Sequence, residues 1–283
     1  MSLVAERRQI LAGGRLLSYL ASGEPGAGQV VVFLHAFPLN AAMWHAQLAA
    51  LPPGWIGLAM DFRGFGRSEA DEIRSEETGA LSMDDYASDV AGVLDALGAP
   101  RAAVCGSSMG GYAALAVLRG YPQRVTGLLL ADTRATADSE AARAGREAML
   151  EALDRGGPAA VAANMRPKLA GATTHDARPG VVAAIDGMML DATGAGIRSA
   201  VLRMMGRPDA TSDLAGFHGP VAVVVGEEDV LTPLAEAESL AEVASGTAFV
   251  TIPAAGHLPN LEAPEAFNLA LRDLLARVER ATR

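Results

Sequence analysis

Residues 101–115 read RAAVCGSSMGGYAAL, and within them Gly106-Ser107-Ser108-Met109-Gly110 has the form G-x-S-x-G. An apolar strand over Ala102 to Cys105 must turn at once into a helix from about Met109, leaving one side chain exposed at the tip of the turn. The backbone there is strained, so the positions two residues away on either side must be nearly free of side chain, as Gly106 and Gly110 are. This phase selects Ser108 as a nucleophile and makes Ser107 a packed neighbour. A serine hydroxyl is weakly nucleophilic until a histidine accepts its proton, and the imidazole needs a carboxylate to fix its tautomer. Both groups occur downstream. The β-branched run Pro220 to Gly226 leads into Glu227, Glu228 and Asp229, any of which could face a histidine. A further strand, Thr247 to Ile252, precedes Pro253-Ala254-Ala255-Gly256-His257. Polar groups just beyond the carboxyl ends of buried parallel strands lie where open α/β sheets form their sites. Asp132, directly after the apolar run Val125 to Ala131, is a competing carboxylate.

Four other histidines are weighed against His257. His45 falls on an expected helix and reads as structural, while His175 and His218 lie in polar stretches and read as exposed. His35 ends a strand. No two histidines combine with a carboxylate or cysteine at ligand spacing, so no metal is expected, and nothing implies a cofactor.

Five segments, in order, carry a resemblance to the α/β-hydrolase superfamily. They are His35-Ala36-Phe37-Pro38, Asp61-Phe62-Arg63-Gly64-Phe65-Gly66-Arg67-Ser68, the elbow around Ser108, Gly226-Glu227-Glu228-Asp229, and Ala255-Gly256-His257. The chain resembles, within that superfamily, oxoadipate enol-lactonases, small-ester carboxylesterases and cofactor-free haloperoxidases. The resemblance implies a triad of Ser108, Asp229 and His257, with Asp229 preferred over Asp132 and with Glu227 and Glu228 solvated. It gives His35 a packing and hydrogen-bonding role and the Asp61 to Ser68 loop a structural one. Oxyanion donors would be the backbone N–H of Met109, the residue after the nucleophile, and that of Phe37. Ala36 stands where the family has glycine, and a positive φ there would strain an alanine. The expected reaction is hydrolysis of a small carboxylic ester or lactone through an acyl-serine. A C–C bond hydrolase and a perhydrolase share the same triad and stay open, as does a hydrolase-like protein that only binds a small ligand.

These residues need a sheet to hold them, and the chain supplies its pattern. Hairpin residues 5–22 are followed by strands at 29–35, 56–60, the elbow strand and 125–131, interleaved with helices at 41–50, 82–97 and after Ser108. The alternation then stops. Residues 134–213 read as helices only, Ser139 to Arg155, Pro158 to Leu169, Pro179 to Asp191 and Ala195 to Met205, broken at Gly156-Gly157, Gly171 to Asp176 and Thr193-Gly194. A helical cap over 134–213, inserted in a core of 1–133 and 214–283, is the expected organisation. Methionines 165, 188, 189, 204 and 205 cluster in it, and Met188 and Met204 join Phe37 as candidate pocket residues. Arg143, Arg146, Arg166, Lys168, Arg198 and Arg203 read as a solvated face, although one turned inward would suit a substrate bearing a carboxylate.

Composition bounds the remaining choices. Half of the 283 residues are apolar, enough for a sizeable core, and the formal charge of −10 opposes binding to nucleic acid or to an anionic membrane surface. The single cysteine, Cys105, excludes an intramolecular disulfide and reads as a small buried hydrophobe. Arg7, Arg8 and Ile10-Leu11 are interrupted by Gly13-Gly14, which marks a hairpin rather than a secretory signal. No apolar run approaches membrane-spanning length. The reading is a cytoplasmic enzyme acting on a small molecule, with self-association left open.

Overall fold

A computed structural model describes residues 5–24, 28–71, 81–244 and 246–282. Its centre is an eight-stranded sheet of order β1-β2-β4-β3-β5-β6-β7-β8. The strands are β1 Glu6–Ala12, β2 Arg15–Ala21, β3 Gln29–Leu34, β4 Trp55–Met60, β5 Ala102–Ser107, β6 Val125–Ala131, β7 Val221–Gly226 and β8 Ala248–Ile252. Each lies within two residues of the bounds expected from the apolar runs. β2 pairs antiparallel with β1 and β4, and every later pairing is parallel. β4, β5 and β7 are buried along their whole length, which is why they read as unbroken apolar runs rather than alternating ones. β8 closes one edge, and its exposure alternates accordingly.

The helices are α1 His45–Ala49, α2 Met83–Ala96, α3 Met109–Gly120, α4 Glu140–Leu169, α5 Ala172–Ala177, α6 Pro179–Leu190, α7 Gly194–Gly206, α8 Thr211–Ala215, α9 Leu234–Val243, α10 Pro259–Glu262 and α11 Pro264–Thr282. α2 starts where Ser82 and Asp85 cap each other: the Asp84 N–H donates to Ser82 Oγ and the Ser82 N–H to Asp85. α11 packs on β6 and β7 and buries Phe267, Leu271, Leu274, Leu275 and Val278, with the Phe267 ring against Trp44. No single helix among the described residues is long and apolar enough to cross a membrane.

Between β6 and β7 the chain contains only helices, α4 to α8. The expected break at Gly156-Gly157 is a kink inside α4, where Gly157 takes a φ of 64° that a side chain would disfavour. Residues expected to form a loop at 171–176 instead make the short helix α5. Its first turn is fastened by Glu228, which accepts from the Thr173 N–H at 2.9 Å and from the Thr173 hydroxyl at 2.5 Å. Glu228 is therefore half-buried and bonded, not solvated, whereas Glu227 is exposed.

Arg203 corrects a second expectation. Placed on a presumed solvated face, it is fully buried on α7 and pairs with Asp71 at 2.9 Å and Asp85 at 2.7 Å, with its guanidinium over the Tyr86 ring. Asp71 also meets Arg63, and Arg63 is held in turn by Asp89. A buried charge is tolerated when partners from other elements neutralise it, and such partners are invisible in the local sequence. Removing one member leaves the others uncompensated. Arg203→Met is expected to destabilise the fold by about 3 kcal/mol, measured by urea unfolding.

Candidate active site

Ser108 sits between β5 and α3 with φ 54° and ψ −115°, outside the comfortable regions for a residue with a side chain. A Cβ on Gly106 would run into the Gly110 carbonyl, and one on Gly110 into that of Leu34, so the turn closes only with glycine at both places. The Thr133 hydroxyl donates to the Ser108 carbonyl at 2.8 Å and braces the elbow from the neighbouring strand end. Ser107 is fully buried, as a packed neighbour should be. Among the described residues, the non-glycine positions with positive φ are Ser108, Asp132 and Ala254, which follow the carboxyl ends of β5, β6 and β8. Ala36 is not one of them, so alanine is accommodated there without left-handed strain.

The carboxylate and the histidine come together on the neighbouring loops. Asp229 Oδ2 lies 2.8 Å from His257 Nδ1, and both residues are buried. The Leu231 and Thr232 N–H groups donate to Asp229 Oδ1 at 2.8 and 3.1 Å. Burial alone would raise the Asp229 carboxyl, but the charge and hydrogen bond of His257, with those two amides, outweigh it and hold the group below its ordinary value. Asp132, the rival acid, is also buried and accepts a 2.9 Å bond from the Gly226 N–H. Burial and the adjacent Asp229 charge push it well above the ordinary carboxylate range. One ligand-type atom from each of Asp132, Asp229 and His257 lies within 4.8 Å of the others, a proximity that could hold a metal ion and that sequence spacing did not reveal. Both Asp229 oxygens already accept N–H donors, and His257 Nδ1 faces one of them, so the arrangement is that of a hydrogen-bonded pair.

Glu262 secures the histidine from below. Its buried carboxylate accepts from the Gly256 and Leu258 N–H groups on either side of His257, at 2.9 and 3.1 Å, and from the Gly171 N–H ahead of α5 at 2.8 Å. Sequence reasoning missed this residue; the signal was a lone acid five positions after the histidine at the end of a four-residue helix.

Ser108 and His257 border one cavity of about 320 Å³. Phe37 and Met204 line it as expected, together with Met165 and Met149 from α4. Met188 does not border it; its side chain belongs to the packed interior of the helical segment, the other use of an apolar helix position. Ala142, Gly145, Arg146 and Met149 fall on one stripe of α4 facing the cavity, a three-and-four spacing that was available in the sequence but not singled out. Tyr112, Leu231 and Thr232 were likewise not anticipated. Met109 opens α3, so its N–H has no acceptor within that helix, and the Phe37 N–H has no backbone acceptor among the described residues.

The remaining candidates lie where packing explains them. His35 is fully buried, accepts from the Phe62 N–H through Nε2 at 3.0 Å and donates through Nδ1 to the Ala36 carbonyl; burial pushes its pKa down to about 4. His45, His175 and His218 are exposed. Asp61 organises its loop by accepting from the Ala41 and Arg67 N–H groups.

Comparison with known proteins agrees with this geometry. A family model described as alpha/beta hydrolase fold matches residues 29–264. The chain is 26% identical to 3-oxoadipate enol-lactonase 2 of Acinetobacter baylyi over 92% of its own length and 93% of that protein's. It is 29% identical to a putative carbamate hydrolase RutD of Variovorax paradoxus, covering 90% of this chain and 94% of the relative. Among solved structures, a thermophilic esterase from Thermogutta terrifontis, with malate bound, superposes with a TM-score of 0.86 at 36% identity, over 96% of this chain and 99% of that one.

Proposed function

The chain belongs to the alpha/beta hydrolase fold family, and from that premise we propose that it cleaves a small carboxylic ester or lactone through an acyl-Ser108 intermediate. The observation that carries the reading is the buried Asp229–His257 pair, 2.8 Å apart, whose histidine borders the same cavity as Ser108. Ser108 Oγ attacks the carbonyl carbon as His257 Nε2 takes its proton. The oxyanion so formed is met by the N–H groups of Phe37 and Met109. Its collapse expels the alkoxide, which His257 protonates. Water, deprotonated by the same imidazole, then attacks the acyl-serine and releases the acid, restoring the Ser108 hydroxyl. Asp229 keeps the Nδ1 proton in place and offsets the charge of the imidazolium. The helices between β6 and β7 act as the cap over this cavity, supplying Met149, Met165 and Met204 to its lining but no member of the triad.

The charge of the lining favours an anionic substrate. The cavity is bordered by Arg134, Arg146 and Lys168 and by one acid, Asp138, which Arg146 shares with Arg207 outside the lining. Arg134 is turned partly away, donating to the Leu231 carbonyl and lying 3.7 Å from Glu236. An excess of positive charge here, in a chain of net charge −10, suits an ester or lactone that carries a free carboxylate. The p-nitrophenyl hemiester of glutarate is expected to be hydrolysed with about tenfold higher kcat/KM than the butyrate ester. Added salt and Lys168→Met should both narrow that margin. Equal rates for the two esters would remove the carboxylate preference while leaving ester hydrolysis standing. No turnover of either ester, with no labelling of Ser108 by a serine-directed phosphonate, would remove the acyl-serine reading itself.

A further inference from the structure

The catalytic sequence above uses one buried carboxylate, yet the site contains two side by side. Asp132 and Asp229 follow adjacent parallel strands, β6 and β7, and one carboxyl oxygen of each lies within 4.8 Å of the other and of one His257 ring nitrogen. Asp229 accepts three N–H donors, from Leu231, Thr232 and His257. Asp132 accepts one, from Gly226 on Oδ1, and its Oδ2 is buried with no partner. Two carboxylates this close in a water-poor site do not both ionise, and the proton settles on the one with fewer donors. That one is Asp132.

We propose that Asp132 is a positioning residue kept as a neutral carboxylic acid, whose Oδ2 proton is donated to the Asp229 carboxylate and holds it facing His257 Nδ1. Other charges around the pair fit a single negative charge there. Glu262 on α10 is engaged with the Gly171, Gly256 and Leu258 amides, and Glu228 with Thr173. Arg134, two residues along, directs its guanidinium at the Leu231 carbonyl and towards Glu236 on α9, so it does not neutralise Asp132. His257 meets Asp229 through Nδ1. Asp132 does not border the substrate cavity, so its influence passes through Asp229.

Substitutions distinguish the neutral acid from an ionised one. Asp132 has a φ of 47°, which asparagine and glycine both tolerate, so neither variant adds backbone strain. Asparagine reproduces the donor and acceptor pattern of a protonated aspartate. Glycine removes it. Asp132→Asn is expected to keep kcat within about threefold of the parent, whereas Asp132→Gly lowers kcat by about tenfold or more with KM unchanged. The role in catalysis rests on the acyl-serine reading, but protonation can be read without turnover. An acid whose pKa is raised by folding holds a proton that the unfolded chain releases above about pH 4, so the parent loses stability as pH rises towards the folded pKa. Asp132→Asn has no such loss. Its unfolding constant, relative to the parent, is expected to fall as pH is raised above about 4, by no more than tenfold per pH unit, in urea titrations. A ratio that stays flat as pH is raised, or an asparagine variant as impaired as the glycine variant, overturns the proposal. Phosphonate labelling of Ser108 in the parent reports separately on the acyl-serine reading.

Discussion

Ser108→Ala is expected to fold as the parent does and to lose about 10⁶-fold in kcat, the loss seen when a triad serine is removed from a hydrolase. The side chain lost is small and half-buried, and the elbow is held by its glycines and by the Thr133 bond to the Ser108 carbonyl, all of which remain. Alanine at φ 54° is strained as serine is, so the thermal midpoint should move little. A serine-directed phosphonate should label the parent at Ser108 and leave Ser107, which is fully buried, unmodified. Full activity in the alanine variant, or a label on Ser107, would relocate the nucleophile.

Removing the charge of Asp229 should cost about 10⁴-fold in kcat in the form of Asp229→Asn. The asparagine fits the same space, but its amide can present an N–H to His257 Nδ1 and so favour the tautomer in which Nε2 carries the proton and cannot accept one from Ser108. KM should change little, because Asp229 does not border the cavity. The Asp229 carboxyl lies below its ordinary value, so the parent keeps the ionised acid through neutral pH and loses it only under strongly acidic conditions. If Asp229→Asn retained most activity while Asp132→Asn abolished it, the acid would belong to the end of β6.

How far the site can be read from the chain depends on what each residue answers to. Ser108, Asp229 and His257 each follow an apolar strand, and strand ends are marked by local composition, so their order and placement were legible. Phe37 was legible for the same reason, as the loop after β3. The helical segment was harder. A methionine at helical spacing can fill the segment's own interior, as Met188 does, or line the cavity, as Met204 and Met165 do; periodicity is the same for both. Arg203 and Glu228 were misread because their burial is paid for by Asp71, Asp85 and Thr173, residues far away in sequence. Asp132 was visible as a candidate acid, but its nearness to Asp229 depends on the pairing of β6 with β7, which no local pattern encodes.

Glu262 ties two segments distant in the chain to one carboxylate. Its single carboxylate gathers the amide before His257, the amide after it and the amide of Gly171, which leads into α5. The start of α5 and the backbone on both sides of His257 thus hang from one peg. Any displacement of α5 that pulls Gly171 away also removes a donor from the group that steadies the His257 backbone. The seating of α5 and the placement of the imidazole are therefore coupled through Glu262.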